Sequence, residues 1–293
     1  MNAPFKKASA NKNSTKNAHK INVLITGASG GLGRAFAVEC GRRGYNLFLV
    51  DIDAEGLDAL KRGLERRFGA CVTTKACDLT DETGVDALIA LFDRYNIRFD
   101  MLLNVAGVDY EGAFLERTRG DILRIVSLNN EATLRITHAV LSRRDERRRF
   151  SLVFVSSLAS LYPMPLKATY AASKRFLLDL AVALGYELRD KNVRVLALCP
   201  GGMVTTRQAM QGIEAQGFWG NVTTNPLETV AKRTIERVLR GKRVYIPGFF
   251  NRVLRFFGTL LPREWVAAAI YRRWAKAQKR WLCDDPAQSE NAA

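Results

Sequence analysis

Two hydrophobic periods alternate along this chain from residue 21 onward, and this alternation limits the possible folds more than any other feature. Short apolar runs typical of buried strands lie at 21–26, 47–50, 71–76, 101–105, 151–156 and 194–199. Segments with helical spacing lie at 32–43, 54–68, 81–95, 121–142 and 170–189. Strands that alternate with helices predict an α/β fold, a doubly wound parallel sheet with helices on both faces.

The net charge of +16 is concentrated at the two ends of the chain. Residues 1–20 carry +5 and residues 240–281 carry +10, whereas residues 21–239 carry only +4. We therefore predict a disordered basic arm at 1–20, a catalytic domain at 21–248 and a basic amphipathic helical tail at 249–293. No aromatic-lined platform or recognition motif accompanies the charge, so nucleic acid is not the expected partner.

Metal and disulfide chemistry are not expected either. The chain has two histidines, and its five cysteines form no C-x-x-C pair, which argues against a structural zinc site or a disulfide framework. No apolar run of 18 residues occurs, so we expect no membrane-spanning helix and a cytoplasmic protein.

A glycine-rich turn joins the first strand to the first helix. Thr26-Gly-Ala-Ser-Gly-Gly-Leu-Gly33 would let a pyrophosphate approach the backbone N–H groups at a helix N-terminus. A tight turn without a ligand is the alternative, but its place between a strand and a helix favours a Rossmann-type dinucleotide site. Asp51 ends the second strand, where a carboxylate accepts hydrogen bonds from a ribose and repels a 2′-phosphate, so we expect NAD. Arg34 leaves NADP as the alternative, and Asp51 could instead cap the next helix, although Asp53 is better placed for that.

Ser157, Tyr170 and Lys174 form the candidate catalytic set. Ser157 follows the fifth strand, at the sheet edge where ligands bind. Tyr170 and Lys174 are four residues apart, so they share a face of a helix. A nearby ammonium, together with a cationic nicotinamide, would favour phenolate and lower the pKa of a tyrosine. Taken alone, the pair could equally belong to an ordinary amphipathic helix with a solvated lysine.

Seven motifs in the same order make the chain resemble the short-chain dehydrogenase/reductase family over about residues 21–250. They are the turn Thr26–Gly33, Asp78, Asn104-Val-Ala-Gly107, Asn129 eight residues before Thr137, Ser157, the pair Tyr170 and Lys174, and the segment Pro200-Gly201 with Thr205. Two departures are noted. Val105 replaces the family's second asparagine, and Asn130 directly follows Asn129, so that assignment could shift by one residue.

The resemblance implies a role for each residue. Tyr170 would exchange a proton with the substrate oxygen, and Ser157 would orient that oxygen. Lys174 would bind the nicotinamide ribose and lower the pKa of Tyr170, while Asn129 would hold a water that relays protons. The expected cofactor-binding residues are Gly27, Ser29, Gly31, Leu32, Gly33, Asp51, Asp78, Leu79, Asn104, Ala106, Gly107, Tyr170, Lys174, Pro200, Gly201, Met203 and Thr205.

The C-terminal part suggests a hydrophobic substrate and a possible membrane contact. Four side chains could form an adaptable apolar pocket wall or belong to a surface loop: Met203, Met210, Phe218 and Trp219. In the tail, basic residues interleave with apolar and aromatic ones at helical spacing. This pattern is typical of an interfacial membrane helix, but a lid or a dimer surface would produce it too. The ending resembles family members that reduce long-chain acyl or steroid-like ketones.

The predicted function is an NAD(H)-dependent oxidoreductase that acts on a hydrophobic secondary alcohol or ketone. One alternative is an NADPH-dependent 3-oxoacyl or ketosteroid reductase, and a less favoured one is a non-catalytic NAD-binding membrane adaptor. The resemblance also implies a homo-oligomer. The tail at 249–281 would provide any peripheral membrane contact.

Overall fold

The computed structural model describes residues 20–203 and 225–284, without the side chains of 257–260 and 275–284. Seven strands form one parallel sheet in the order β3-β2-β1-β4-β5-β6-β7. The strands are β1 Asn22–Thr26, β2 Asn46–Asp51, β3 Val72–Ala76, β4 Met101–Asn104, β5 Phe150–Val155, β6 Val193–Leu198 and β7 Val244–Tyr245. The predicted doubly wound parallel sheet is confirmed.

Helices cover both faces of this sheet. They are α1 Gly31–Arg42, α2 Ala54–Phe68, α3 Glu82–Arg94, α4 Arg119–Val126, α5 Thr133–Ser142, α6 Ala168–Glu187, α7 Leu227–Leu239, α8 Phe249–Leu260 and α9 Arg263–Asp284. Single 3₁₀ turns lie at Phe114–Glu116, Leu158–Leu161 and Arg189–Lys191.

Alternate side chains along each strand enter two separate apolar cores. On one face, Ile25 and Leu49 pack with Phe36 of α1 and Ile235 of α7. On the other face, Phe48 packs edge-on against Phe92 and Phe99 at centroid distances of 5.4 and 5.9 Å. Because the sheet is buried on both faces, its strands read as continuous apolar runs.

The strand order reverses direction between β1 and β4, which opens a crevice at their carboxyl ends. β1 pairs with β2 on one side and with β4 on the other. Ligands of open α/β sheets bind at such a reversal. The glycine-rich turn, the loop after β4 and the loop after β5 all begin at this edge.

The helix expected at 121–142 is interrupted, and this differs from the prediction. A π-helical turn, Ser127–Ala132, separates α4 from α5. The wider turn brings both Asn129 and Asn130 against α6, where each donates a hydrogen bond to Ser173. Apolar spacing alone does not reveal such a turn, which is frequently found at functional sites.

The C-terminal helices lie beside this same edge of the sheet. α8 contacts the 3₁₀ turn that follows β5, and the buried Asn251 fixes the start of α8 by donating to the Pro247 carbonyl at 2.8 Å. Trp274 of α9 lies 5.3 Å from Lys167, measured from the ring centroid to Nζ. Among the described residues, no helix is both long enough and apolar enough to cross a membrane.

Candidate active site

The glycine-rich turn is so closely packed that two of its positions have no room for a side chain. Gly27 has a φ of +65°, and a Cβ there would lie 2.7 Å from the backbone of Ala106. A Cβ at Gly33 would overlap the carbonyl oxygen of Gly27. The exposed Gly30 has only one atom near its Cβ position, at 3.6 Å, so the outer side of the turn is open. A backbone cradle that opens at a helix N-terminus fits a dinucleotide pyrophosphate.

Hydrogen bonds fix the turn to its neighbours. The Thr26 hydroxyl accepts from the backbone N–H groups of Val105 and Ala106 at 3.2 and 3.3 Å, which ties β1 to the loop after β4. The buried Leu32 and Ala28 anchor the start of α1 in the core. Gly31 lies in the first turn of that helix.

Asp51 lies against the glycine-rich turn. One of its oxygens accepts from the backbone N–H of Ser29 at 2.9 Å, and the other accepts from Asp53 at 3.1 Å. Asp53 caps α2 by accepting from Gly56, so Asp51 is not the cap. The Arg34 guanidinium donates to the carbonyl of Ser29, which places a positive charge at the same turn.

Asp78 and Leu79 follow β3 at the edge of the same crevice. Asp78 accepts hydrogen bonds from the hydroxyl and backbone N–H of Thr80 at 2.7 and 2.9 Å, and these bonds lower its pKa. Its other oxygen lies 3.6 Å from the Arg124 guanidinium. Leu79 is buried in the core behind this loop.

Asn104 is buried below the crevice. Its amide donates to the Thr137 hydroxyl at 2.9 Å, which ties β4 to α5. The amide oxygen has no hydrogen-bond partner among the described residues. The Asn104 side chain therefore joins two elements of the scaffold, and Thr137 is its partner.

Ser157, Tyr170 and Lys174 lie together after β5 and on α6. The Ser157 side chain acts on Tyr170 by lowering the pKa of its phenol, and its hydroxyl caps the following 3₁₀ turn by accepting from Ala159 at 3.1 Å. The Lys174 ammonium donates to the carbonyl of Val155 at 3.0 Å and lies 5.7 Å from the Tyr170 ring centroid. Only 4% of Lys174 is exposed.

The pKa values of both titratable members differ from their ordinary values. Burial raises the pKa of Tyr170 to about 12, with the Asp109 carboxylate acting in the same direction and Ser157 opposing it. Burial also lowers the pKa of Lys174 to about 8. The sequence predicts that an ammonium and a cationic nicotinamide together lower the pKa of Tyr170. In the protein alone this pKa is raised, because desolvation outweighs the nearby positive charge.

The Asn129 side chain and the Lys174 ammonium both lie next to Gly107. Its oxygen accepts from the backbone N–H of Val108 at 2.8 Å, and its nitrogen donates to the Ser173 hydroxyl at 3.0 Å. A Cβ at Gly107 would lie 2.9 Å from this oxygen and 3.1 Å from the Lys174 Nζ. The two polar atoms therefore converge on Gly107, which favours the assignment to Asn129.

The segment after β6 completes the described part of the crevice. The buried Pro200 accepts a hydrogen bond from Leu158 at 2.7 Å, and Gly201 follows it. Met203 packs against the core next to α7. Thr205, like the expected pocket-wall residues Met210, Phe218 and Trp219, lies outside the described residues.

Sequence reasoning missed three charged side chains beside Tyr170. The Lys167 ammonium pairs with Asp109 at 2.5 Å and with Glu111. Lys167 precedes Tyr170 by three residues, and this spacing is the one feature of the sequence that indicates their proximity. The two acids lie 58 and 56 residues earlier in the chain, so their contact with Lys167 depends on the tertiary fold.

A cavity of about 260 Å³ adjoins Tyr170. Most of its wall is apolar, and the charged residues on it are Arg117, Asp121 and Lys167. The apolar lining residues are Ala113, Phe114, Ile122, Ile125, Pro165, Leu166 and Ala168. In the described part of the chain, no group of three or more potential metal ligands is close enough to hold an ion.

Comparison with known proteins identifies relatives of this chain. It is 33% identical over 206 residues to 2-keto-3-deoxy-L-fuconate dehydrogenase of Xanthomonas campestris, covering 68% of this chain and 65% of the relative. It is 34% identical over 178 residues to very-long-chain 3-oxoacyl-CoA reductase of Phaeosphaeria nodorum, covering 59% of this chain and 52% of the relative. The match thus spans less than two thirds of either relative's length.

Structural comparison agrees with these relationships. A short-chain dehydrogenase from Sphingobium yanoikuyae, solved in complex with NADPH, superimposes with a TM-score of 0.68 at 26% identity, covering 90% of this chain and 96% of that one. The family model for short chain dehydrogenases matches residues 21–215, which contain the glycine-rich turn, Ser157, Tyr170 and Lys174. The chain therefore belongs to the short-chain dehydrogenase family.

Proposed function

We propose that this protein is an NAD(H)-dependent oxidoreductase that interconverts a hydrophobic secondary alcohol and its ketone. The observation that carries the proposal is the convergence of Ser157, Tyr170 and Lys174 next to the loops that form a dinucleotide cradle. Ser157 acts directly on the pKa of Tyr170, and the Lys174 ammonium lies 5.7 Å from the centroid of the Tyr170 ring. A substrate oxygen could contact both hydroxyl groups at once.

Each residue has one task in this mechanism. When bound, the nicotinamide supplies or accepts the hydride. For ketone reduction, the Tyr170 hydroxyl gives its proton to the substrate oxygen, and Ser157 orients that oxygen by a hydrogen bond. For alcohol oxidation, Tyr170 acts as phenolate, and its oxygen takes the proton of the substrate hydroxyl. Because burial raises the pKa of Tyr170 to about 12, the phenol is protonated at neutral pH, as reduction requires.

Two further residues would support this proton transfer. The Lys174 ammonium would hold the ribose next to the nicotinamide. The Asn129 oxygen, which converges with Lys174 on Gly107, would hold a water through which Tyr170 is reprotonated. Gly107 has no side chain and would therefore leave room for this water between Asn129 and Lys174.

Asp51 supports NAD over NADP. Its carboxylate hydrogen-bonds the glycine-rich turn at Ser29, where it would accept from a ribose and repel a 2′-phosphate. We expect a higher kcat/KM with NADH than with NADPH, and we expect Asp51→Ala to narrow the difference. Asp58→Asn removes a charge from the exposed side of α2 and should leave the ratio unchanged. Equal or better turnover of the wild type with NADPH would contradict the NAD assignment.

The alternative reading, an NADPH-dependent 3-oxoacyl or ketosteroid reductase, is supported by Arg34 at the same turn. The Phaeosphaeria relative is a very-long-chain 3-oxoacyl-CoA reductase, and the Sphingobium structure contains NADPH. The ratio of kcat/KM with NADH to kcat/KM with NADPH separates this function from the main proposal. A non-catalytic adaptor would bind the cofactor without turnover on any carbonyl compound.

The apolar cavity beside Tyr170 supports a hydrophobic substrate. Its described wall is mostly aliphatic and aromatic. A panel of apolar ketones, 3-oxoacyl thioesters and 2-keto sugar acids, followed by cofactor absorbance, tests this choice. We expect kcat/KM to rise with chain length among the apolar ketones. A preference for the sugar acids would contradict a hydrophobic substrate and favour an activity like that of the Xanthomonas relative.

A homo-oligomer is supported by exposed apolar side chains on neighbouring helices. They are Leu123 and Val126 of α4, Leu134 of α5 and Phe176 of α6. Together they would offer one continuous apolar surface for a second copy of the chain. Light scattering after size-exclusion chromatography should give a dimer or larger, and Leu123→Glu with Phe176→Glu should give a monomer. A monomeric wild type would contradict this.

Peripheral membrane contact is supported by α8 and α9. Phe249, Phe250, Phe256 and Trp265 are exposed, with 68% of Trp265 accessible, and arginines lie between them. We expect the protein to sediment with vesicles that contain phosphatidylserine and to bind pure phosphatidylcholine more weakly. Phe256→Ser with Trp265→Ser should weaken sedimentation several-fold. The control variant is Leu115→Ser with Tyr186→Ser, because both side chains are exposed but lie outside α8 and α9. Equal sedimentation of both variants and the wild type would contradict the membrane contact.

A further inference from the structure

The C-terminal helix α9 has one half-buried face and one exposed face. Half-buried side chains recur at helical spacing: Val266, Ala267, Ile270 and Trp274. The residues between them are exposed, and 68% of Trp265 and 52% of Tyr271 are accessible. Trp265 and Trp274 are nine residues apart, which is two and a half helical turns, so they lie on opposite sides of the helix. One face of α9 therefore lies against the protein, and the other faces solvent.

The half-buried face of α9 meets the active site at Lys167. The ring centroid of Trp274 lies 5.3 Å from the Lys167 Nζ, and the ring centroid of Tyr170 lies 5.6 Å from the same atom. Both distances are within the range of a cation–π contact. A single ammonium group therefore contacts the ring of the expected catalytic tyrosine and the ring of a tryptophan in the C-terminal tail.

Two carboxylates hold the Lys167 ammonium in place. Its Nζ lies 2.5 Å from an oxygen of Asp109 and also pairs with Glu111, and both acids follow β4. Only 11% of the Lys167 side chain is exposed. Burial lowers the pKa of Lys167, but the two carboxylates raise it above its ordinary value, so the ammonium stays charged at neutral pH.

The backbone that leads into Lys167 is fixed as well. Leu166 has a φ of +65°, in the left-handed region that bulky side chains rarely adopt, and its carbonyl accepts from the backbone N–H of Gly112 at 2.9 Å. Such a conformation persists only where the surrounding structure imposes it. Lys167 follows as the residue directly before α6. The catalytic domain therefore sets the position of the ammonium, and α9 is attached to it.

The other helix of the tail contacts the element that follows Ser157. α8 lies against the 3₁₀ turn Leu158–Leu161, which Ser157 caps by accepting a hydrogen bond from Ala159 at 3.1 Å. Lys167, which α9 contacts, forms part of the wall of the cavity of about 260 Å³ beside Tyr170. The tail therefore adjoins the active site at two points, the turn after Ser157 and the wall of the cavity.

We propose that α9 is part of the active site, and that Trp274, held by the Lys167 ammonium, closes the cavity beside Tyr170 and strengthens the binding of an apolar substrate. The inference deepens the function proposed above and rests on it. Trp274 acts through Lys167 and is a positioning residue. With Trp274 in place, the apolar wall of the cavity is shielded from water, so a long substrate chain buries more apolar surface on binding. The outer face of α9, with Trp265, stays exposed for the membrane contact proposed above.

The first test measures KM and kcat for a long apolar ketone, such as 2-decanone, in variants of Trp274. Trp274→Leu keeps an apolar side chain but removes the ring, so KM should rise by about 3–10-fold through loss of one cation–π contact. The change in kcat should be smaller, because Ser157 and Tyr170 are untouched. Trp274→Phe keeps a ring for the ammonium and should restore most of the wild-type KM. Trp265→Leu, on the opposite face, should leave both constants unchanged.

A double-substitution cycle tests whether Lys167 holds Trp274. Lys167→Met should raise KM for the same ketone, and adding Trp274→Leu should raise it little further, because both changes remove the same contact. Lys167→Arg, whose guanidinium also binds aromatic faces, should keep KM near the wild-type value. Effects that multiply in the double variant would overturn the role of Lys167. If Lys167→Met fails to fold, the comparison of Trp274→Leu with Trp274→Phe still decides the outcome.

Hydrogen exchange of the backbone amides of α9 gives a readout without turnover. Exchange should be faster in Trp274→Leu and Lys167→Met than in the wild type, and unchanged in Trp265→Leu. An unchanged KM in Trp274→Leu, with or without a change in oligomeric state, would overturn the proposal and leave the proposed function intact. A wild type that turns over no ketone or alcohol would instead overturn the proposed function, and hydrogen exchange would still test the contact between Trp274 and Lys167.

Discussion

Replacing Lys174 by methionine should abolish turnover but stabilise the fold. Only 4% of Lys174 is exposed, and burial lowers its pKa to about 8, against about 10.5 in an unfolded chain. Each unit of this difference is worth about 1.4 kcal/mol, so the buried charge costs the native state about 3 kcal/mol at pH 7. The lost hydrogen bond to Val155 offsets about 1 kcal/mol of the gain. We therefore expect Lys174→Met to raise the free energy of unfolding by about 2 kcal/mol.

The pH dependence of this gain follows from the direction of the shift. Between pH 8 and 10.5 the unfolded chain binds more protons at Lys174 than the native state does, so the stability penalty of the wild type disappears as the pH rises. The advantage of Lys174→Met should therefore be complete at pH 7 and lost near pH 10.5.

Urea unfolding at pH 7 and pH 10 measures both effects. Lys232→Met, an exposed lysine on α7, is the matched control and should change stability by less than about 0.5 kcal/mol. A Lys174→Met protein that is less stable than the wild type at pH 7 would refute the reasoning, because it would show that the buried ammonium stabilises the native state.

Two other substitutions test the turn and the tail. Gly27→Ala should destabilise the fold by about 2–4 kcal/mol, because φ is +65° and the new Cβ would lie 2.7 Å from the backbone of the loop after β4. Gly63→Ala, where no atom lies near the Cβ position on the helix surface, should instead stabilise the fold by up to about 1 kcal/mol. Urea unfolding checks both, and equal effects would contradict the packing argument. Trp274→Ala should raise KM for apolar ketones more than it lowers kcat, because this ring lies over the lysine next to the cavity. Trp265→Ala, exposed on the same helix, should leave both constants unchanged, and steady-state kinetics that show equal effects would contradict a lid role.

The sheet could be predicted from the sequence because its signal is local. A strand buried on both faces reads as a continuous apolar run, and the six strands predicted from such runs are all present. The cap at Asp53 could be predicted for the same reason, since it joins two residues only three positions apart. The order of the seven motifs placed the chain in its family, which the match over residues 21–215 confirms.

What could not be predicted depends on contacts between distant parts of the chain. The pairing of Lys167 with Asp109 joins two loops 58 residues apart. The π-helical turn that brings Asn129 toward α6 leaves no trace in apolar spacing. The raised pKa of Tyr170 results from burial and from Asp109, and neither follows from the four-residue spacing of Tyr170 and Lys174.

The assignment of Tyr170 as the proton donor and acceptor is the central claim, and Tyr170→Phe tests it most directly. The substitution removes one hydroxyl and keeps the ring, so the fold and cofactor binding should be preserved. With NADH and an apolar ketone, followed by cofactor absorbance, we expect kcat to drop by about 10²–10⁴-fold. Turnover by Tyr170→Phe equal to that of the wild type would contradict the mechanism.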